Sequence, residues 1–159
     1  MDKKEWNKMK DSIIKLISKL IKQEFVYVGV PVIIQNSKKE ILLGMRSTKN
    51  ITYPNTWGLP GGMMDYGEYI EATVKREVKE ELGVDVKIIK KSSNIYENIP
   101  NKDNRFHSVD IPFYAKIIKG VPKPKDETSE VKWFKSSEIR KMKLAYAHKK
   151  ILGGEGLIW

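Results

Sequence analysis

The sequence predicts an α/β fold in which short strands and helices mix irregularly, with an amphipathic helix at the N-terminal end. Runs dense in β-branched and aromatic residues, bounded by turn-forming residues, recur along the chain; Phe25 to Ile34 is the first. A helical segment near the middle has a start signal at Asp65, apolar residues every fourth position and a stop at Gly83. From Lys3 to Lys22, apolar residues recur at steps of three and four, with lysines on the other face. The period of 3.6 belongs to helices and the dense β-branched runs to strands, so both element types are present.

In chain order, Trp6, Met9, Ile13, Leu16, Ile17, Leu20 and Ile21 form the stripe of the first helix. Such a stripe packs on its own domain or on a second subunit, although a basic amphipathic helix also suits a membrane surface. Residues 1–23 are therefore read as this helix and residues 24–159 as the domain it precedes. Phe25 to Ile34 reads as one buried strand, and Asn36-Ser37-Lys38-Lys39 turns the chain into a second, Glu40 to Arg46. Trp57 to Leu59 is a short strand. Asp65 and Glu68 have capping-box spacing, so a helix is expected to begin there and to end at Gly83. Asp85 to Asn98, Phe106 to Ile118 and Glu130 to Trp133 read as further strands. Ser136 or Ser137 caps a short helix through Met142, and Leu144 to Leu152 is a last helix closed by Gly153-Gly154.

Composition bounds the function. A chain of 159 residues can bury the core of a single domain. It has no cysteine, which rules out disulfides and thiolate metal sites and suits a reducing cytoplasm. Met1-Asp2-Lys3-Lys4 does not read as a secretory signal, and Lys15 and Lys19 interrupt the most apolar stretch, so no transmembrane segment is expected. A soluble cytoplasmic protein is the expectation. The net charge of +10 favours polyanionic partners, whether nucleotides or nucleic acid, but the lysines are spread along the chain and equally suit a lysine-rich proteome.

The chemistry concentrates on the central helix. Glu77, Glu80 and Glu81 share one face, because positions three and four apart align. Like charges so close raise each other's pKa values unless a cation lies between them, and a hard divalent ion with oxygen ligands fits that need. Taken alone, three glutamates also suit a solvated acidic face. Ile70, Val74, Val78 and Leu82 step by four, and the carboxylates occupy the neighbouring arc, at the border of the core.

The full pattern is Gly62-x5-Glu68-x7-Arg76-Glu77-Val78-x-Glu80-Glu81-x-Gly83-Val84. It resembles the Nudix box, the defining motif of the Nudix hydrolases, with each fixed position filled. Trp57-Gly58-Leu59-Pro60-Gly61-Gly62 before it, Ile41 to Arg46, and Asp126-Glu127 with Glu130 to Phe134 resemble other parts of that domain. The resemblance implies an α/β/α sandwich around a mixed sheet. It also implies Mg²⁺-dependent (or Mn²⁺-dependent) cleavage of a phosphoanhydride in a nucleoside diphosphate linked to another moiety. Glu77, Glu80, Glu81 and the Gly61 carbonyl become the metal ligands, Glu77 the general base, and Glu127 an alternative base or extra ligand. Arg76 and Glu68 become the pair that orients the cluster.

Substrate-binding candidates lie outside the box. Arg46, at the end of its strand, suits a phosphate or a rim ion pair; Arg105, Phe106 and Trp57 suit a nucleotide pocket, and the two aromatic side chains equally suit the core. The expected substrate is a small nucleotide, with a nucleoside triphosphate (oxidised forms included) placed ahead of ADP-ribose or a nucleotide sugar. Pro100, sixteen residues after Val84, is a mark of ADP-ribose-hydrolysing members and equally a turn residue. Cleavage at an RNA 5′ end is a further reading, and so is a nucleotide-sensing or nucleic-acid-binding protein without catalysis. A homodimer paired through the N-terminal helix is compatible with its apolar face.

Overall fold

Two prolines shape the sheet on which the domain is built. The computed structural model describes residues 2–21 and 24–158. Lys22 and Gln23, the expected end of the first helix and of its segment, lie outside the described residues, as do Met1 and Trp159. The expected strand Phe25 to Ile34 is divided at Val30-Pro31 into β1 (Val26–Gly29) and β2 (Val32–Ile34). The expected strand Phe106 to Ile118 is divided at Ile111-Pro112 into β7 (His107–Asp110) and β8 (Phe113–Lys119). Proline has no N–H to give to a ladder, so each strand breaks where the proline stands. The two breaks face each other: β1 pairs with β7 and β2 with β8, both parallel. Ile111 N–H donates to Gly29 O and Phe113 N–H to Pro31 O, which carries the pairing across the bend.

On the far side of β7 and β8 run β6 (Tyr96–Asn98) and β5 (Asp85–Lys91), both antiparallel to their neighbours. They replace the single strand expected from Asp85 to Asn98. A second sheet has the order β4 (Trp57–Gly58), β3 (Ile41–Arg46), β9 (Thr128–Phe134), all antiparallel.

The alternation of β2 and β3 builds the layers. Val32, Ile34 and Leu42 face Val74, Val78 and Leu82 of α2 (Ile70–Leu82). Ile33, Ile41 and Leu43 face the opposite way, toward Ile139 of α3 (Ser136–Ile139) and Ile151 and Leu152 of α4 (His148–Gly154). Both faces are buried, and the result is the expected α/β/α sandwich with mixed sheets.

The helix ends differ from the sequence reading in instructive ways. α2 starts at Ile70, after Tyr69, and not at Asp65. Glu68 N–H does bond to Asp65 O, and Asp65 N–H reaches Glu68 Oε2, but Gly67 with φ of 81° turns the chain out of the helix. The capping-box spacing thus closes a loop ahead of the helix. At the other end Gly83 caps α2 as expected, with φ of 71° and its N–H on Lys79 O. α4 starts only at His148 and runs through both glycines that were expected to end it. Gly154 abuts the Tyr96 hydroxyl, where a Cβ would collide.

α1 (Lys3–Ile21) forms as expected. Its apolar stripe does not pack on its own domain: Trp6, Met9, Ile13, Leu16, Ile17 and Leu20 are exposed. Among the described residues no helix is long and apolar enough to cross a membrane.

The imidazole of His148 is buried between the layers, and its Nδ1 accepts the Leu59 N–H at 2.9 Å. Burial, aided by the nearby charge of Arg46, depresses its pKa from 6.5 to about 3. The folded protein therefore keeps His148 neutral where the unfolded chain protonates it, so stability is complete above pH 6.5 and falls as pH drops toward 3. Glu68, held at about 2, adds acid sensitivity only below its ordinary 4.5. Between pH 6.5 and 4.5 His148 by itself removes roughly 2–3 kcal/mol of stability. Glu81, raised to about 8, works the other way over the same window, because the folded protein keeps it protonated where the unfolded chain ionises it. Thermal melts of metal-free protein should therefore be nearly flat between pH 6.5 and 4.5, and His148→Gln should leave a stability that rises as pH falls.

Candidate active site

The site is built where the loop after β4 passes the last two turns of α2. The loop runs in against β1 and β2: Val32 N–H donates to Pro60 O, Val30 N–H to Gly62 O, and Met64 N–H to Val28 O. Gly61 lies so close to Val30 O, with φ of 127°, that no side chain fits. Gly62 is pressed against the Glu77 carboxylate with the same consequence. Gly61 lets the backbone lie against Val30 and Gly62 lets it approach the helix, and the loop then offers polar backbone groups directly to the carboxylates. The carbonyls on either side of Gly61 are taken by β1 and β2 neighbours, while that of Gly61 has no hydrogen bond among the described residues.

Arg76 organises the cluster. Its Nε and Nη2 grip Glu68 at 2.9 Å each, a two-pronged pair. Nη2 also reaches Met63 O at 3.2 Å, and Nη1 reaches Glu77 at 2.5 Å and Glu80 at 3.4 Å. Glu68 further accepts from the Thr73 hydroxyl at 2.8 Å. The guanidinium bond pulls the Glu68 pKa down to about 2 against the opposing effect of burial, and Glu68 in turn raises that of Arg76. One side chain thus ties the loop, the turn before α2 and two helical carboxylates together.

The remaining carboxylates point inward. Glu81 is half-buried and accepts the Gly61 N–H at 3.0 Å. Burial pushes its pKa up to about 8, with the charges of Glu77 and Glu127 adding to the rise and Arg46 opposing it. Burial also raises Glu77, against the pull of Arg76. Glu80 is the most open and pairs with the Lys3 ammonium of α1. As the side chains stand, no three acidic or histidine residues among the described residues converge on one point. The donor set nevertheless fits a hard divalent cation: two partly desolvated carboxylates, a third at the rim and one unpaired backbone carbonyl, all oxygen. A cation there relieves the mutual repulsion that now raises Glu77 and Glu81.

The outer candidates separate into two groups. Arg46 stands on the Glu81 side, where Thr52 holds it by Nε to O at 2.9 Å and Nη2 to Oγ1 at 3.2 Å, and the Tyr146 ring stacks on it at 5.1 Å. Glu127 belongs to the same side, since its charge acts on both Glu81 and Tyr146. Its exposed carboxylate rides on a pinned backbone, because Glu127 O accepts from Ser47 N–H and Asn50 Nδ2, each at 2.8 Å. Arg105 and Phe106 lie beside β1 instead: Phe106 meets the Tyr27 ring edge-on at 5.4 Å, and Arg105 stacks on Phe106 and reaches Asp11 of α1 at 3.3 Å. Trp57 packs on Phe134 at 4.8 Å, within the core on the α3 and α4 side. Pro100 follows β6 in an exposed turn.

Sequence reasoning missed Thr73, Thr52, Tyr146 and Lys3. Thr73 had a signal, since it is a hydroxyl next to Val74 on the core-facing side of α2. Thr52 and Tyr146 lie far apart in sequence and share a 2.6 Å hydroxyl contact that no local pattern encodes.

Comparison with known proteins agrees with this geometry. The NUDIX domain model matches residues 27–152. An ADP-ribose pyrophosphatase of Methanocaldococcus jannaschii is 34% identical over 125 residues, covering 79% of this chain and 70% of that protein. The nucleoside triphosphatase NudI of an Enterobacter species is 43% identical over 51 residues, 32% of this chain and 36% of its own length. The crystal structure of a MutT NUDIX hydrolase from Burkholderia pseudomallei superposes with a TM-score of 0.69 at 27% identity, covering 82% of this chain and 98% of that one.

Replacing Arg76 by lysine keeps the charge and loses the fork. Arg76→Lys is expected to destabilise the fold by about 1–3 kcal/mol and to lower divalent-ion affinity. Thermal unfolding and titration calorimetry with Mn²⁺ check both, and a variant that matches wild type in each would refute the organising role.

Proposed function

The chain belongs to the NUDIX family and is an enzyme of its pyrophosphatase class, and on that premise we propose that it hydrolyses ADP-ribose to AMP and ribose 5-phosphate with Mg²⁺ or Mn²⁺. The observation that carries the catalytic part is the acidic cluster on α2, wired by Arg76 to Glu68 and set against Gly61 and Gly62. The substrate rests on the longer match, to the archaeal ADP-ribose pyrophosphatase over 125 residues. A nucleoside triphosphate is the second reading, favoured by the shorter match to NudI.

In this reading Glu77, Glu80, Glu81 and the Gly61 carbonyl hold the cation. When bound, it neutralises the diphosphate and lowers the pKa of water. The chain's own residues supply the rest. Burial makes the Glu77 carboxylate more basic than an exposed one, so it takes the proton of the attacking water. The new bond forms from water oxygen to one phosphorus as the anhydride bond breaks, and the departing phosphate carries the bridging oxygen. Arg76 holds Glu77 in place through Nη1, and Glu68 fixes Arg76. Arg46, clamped by Thr52 and Tyr146 near Glu81, is placed to receive a substrate phosphate. Glu127 adds negative charge on that side and serves as an extra ligand or alternative base.

Product analysis with ADP-ribose, the common (d)NTPs and nucleotide sugars is expected to give AMP and ribose 5-phosphate with the highest kcat/KM. A higher value for a triphosphate would transfer the assignment to the second reading. Glu77→Gln should lower kcat by roughly 10²–10⁴-fold while the fold stays intact. Unchanged turnover in that variant would place the base elsewhere, with Glu127 the next to test.

A further inference from the structure

α1 carries a pattern that hydrolysis does not use. Trp6, Met9, Ile13, Leu16 and Leu20 alternate at steps of three and four, which is the a and d spacing of a heptad and a period of 3.5. This narrow seam is exposed along its whole length, from 38% at Met9 to 73% at Leu20. The opposite side of the geometry is equally clear. α1 meets the body through Lys3 with Glu80, Lys10 with Asp65 and Asp11 with Arg105, and Ser18 is its buried residue. On a helical wheel the centre of the seam lies about 150° from the face that carries Asp11, Ile14 and Ser18. The body therefore holds the helix from behind and leaves the seam free.

We propose that the seam is covered by the α1 seam of a second copy of this chain, so that the enzyme is a homodimer joined through its N-terminal helices. Two features select a second copy. The first is the seam itself: Ile13 at an a position and Leu16 at a d position are the residue types that pack between two such helices. The second is the charge at its flanks. Glu5 stands on one border, with Lys19 further along it, and Lys10 stands on the other. In a parallel pair Glu5 faces Lys10 of the partner subunit, and in an antiparallel pair it faces Lys19 of the partner subunit, so opposite charges meet either way.

A lipid surface matches less well. Lys4, Lys8 and Lys15 project from the side opposite the seam, and Glu5 at its border would face the acidic headgroups. The seam is short for a free coiled coil, but each helix is tethered to a folded body. The proposal concerns assembly and stands independently of the substrate assignment.

Sedimentation equilibrium of the full chain, over a wide range of loading concentration, is expected to show a mass rising from 18.4 kDa toward twice that value. The double variant Ile13→Glu/Leu16→Glu should remain monomeric, with the melting temperature that wild type shows at concentrations where it too is monomeric, because both side chains are exposed in the single chain. The natural absence of cysteine allows a second measurement that does not depend on that variant's folding. With a mild oxidant, Ile13→Cys should cross-link two chains, and Lys15→Cys, on the outer face, should not. A wild-type protein monomeric at every concentration, a dimer that survives the double variant, or cross-linking no faster at position 13 than at 15 would overturn the proposal. So would a monomer that floats with vesicles of acidic phospholipid, which would give the seam to a bilayer.

Discussion

The fork between Arg76 and Glu68 is the contact on which the site depends. Three carboxylates on one helical face repel one another, and burial of two of them makes the repulsion stronger. A lysine would neutralise one neighbour. The guanidinium instead bonds Glu68 twice, reaches Met63 O, and still has Nη1 left for Glu77 and Glu80. It is charged at all relevant pH values, so the network does not switch off. Because Glu68 and Met63 belong to the loop while Glu77 and Glu80 belong to α2, the same contacts set the distance between the two segments.

That distance is short because of what lies beneath. Val74, Val78 and Leu82 are completely buried against β2 and β3, which fixes the rotation of α2 about its axis. The rotation leaves Glu77 and Glu81 on the inner border of the helix. On the facing loop, Gly62 removes the side chain that would keep backbone and the Glu77 carboxylate apart, and Gly61 lets the loop lie close against Val30. The outcome is a pair of acids desolvated enough to be raised in pKa, next to a backbone that gives one N–H and keeps one carbonyl unbonded. Such a place has a strong appetite for a cation, and the core packing supports that cost in stability.

The periphery is held differently. Arg46 and Glu127 are positioned by hydrogen bonds from loops, through Thr52, Asn50 and Ser47, and by the ring of Tyr146. Tyr53 and Tyr146 both have positive φ, 48° and 51°, and their rings meet at 4.9 Å. Backbone in that region is costly for residues with a Cβ, and it is maintained here beside the site, where substrate contacts are expected. α1 reaches the opposite rim through Lys3, Lys10 and Asp11, so a helix outside the sandwich touches the acidic cluster from without.

The sequence by itself determined whatever depends on spacing along the chain. The periodicity of α2 and its closing Gly83 placed the three glutamates on one face beside the core, and the box named Arg76 and Glu68 before any contact was visible. The α/β class and most strand positions followed from local composition. Only the tertiary structure decided how distant segments meet. Pro31 and Pro112 divide two apparent strands because their breaks lie opposite each other in a parallel ladder, a relation that neither stretch contains. Glu68 closes a turn ahead of α2 because Arg76 and Thr73 claim its carboxylate. Trp57 belongs to the core, Arg46 is gripped from Thr52 and Tyr146, and the apolar face of α1 remains uncovered by its own domain. Helical periodicity is a property of neighbours within one turn, whereas pairing, burial and loop contacts join residues many positions apart, and those are set by the packing of the whole chain.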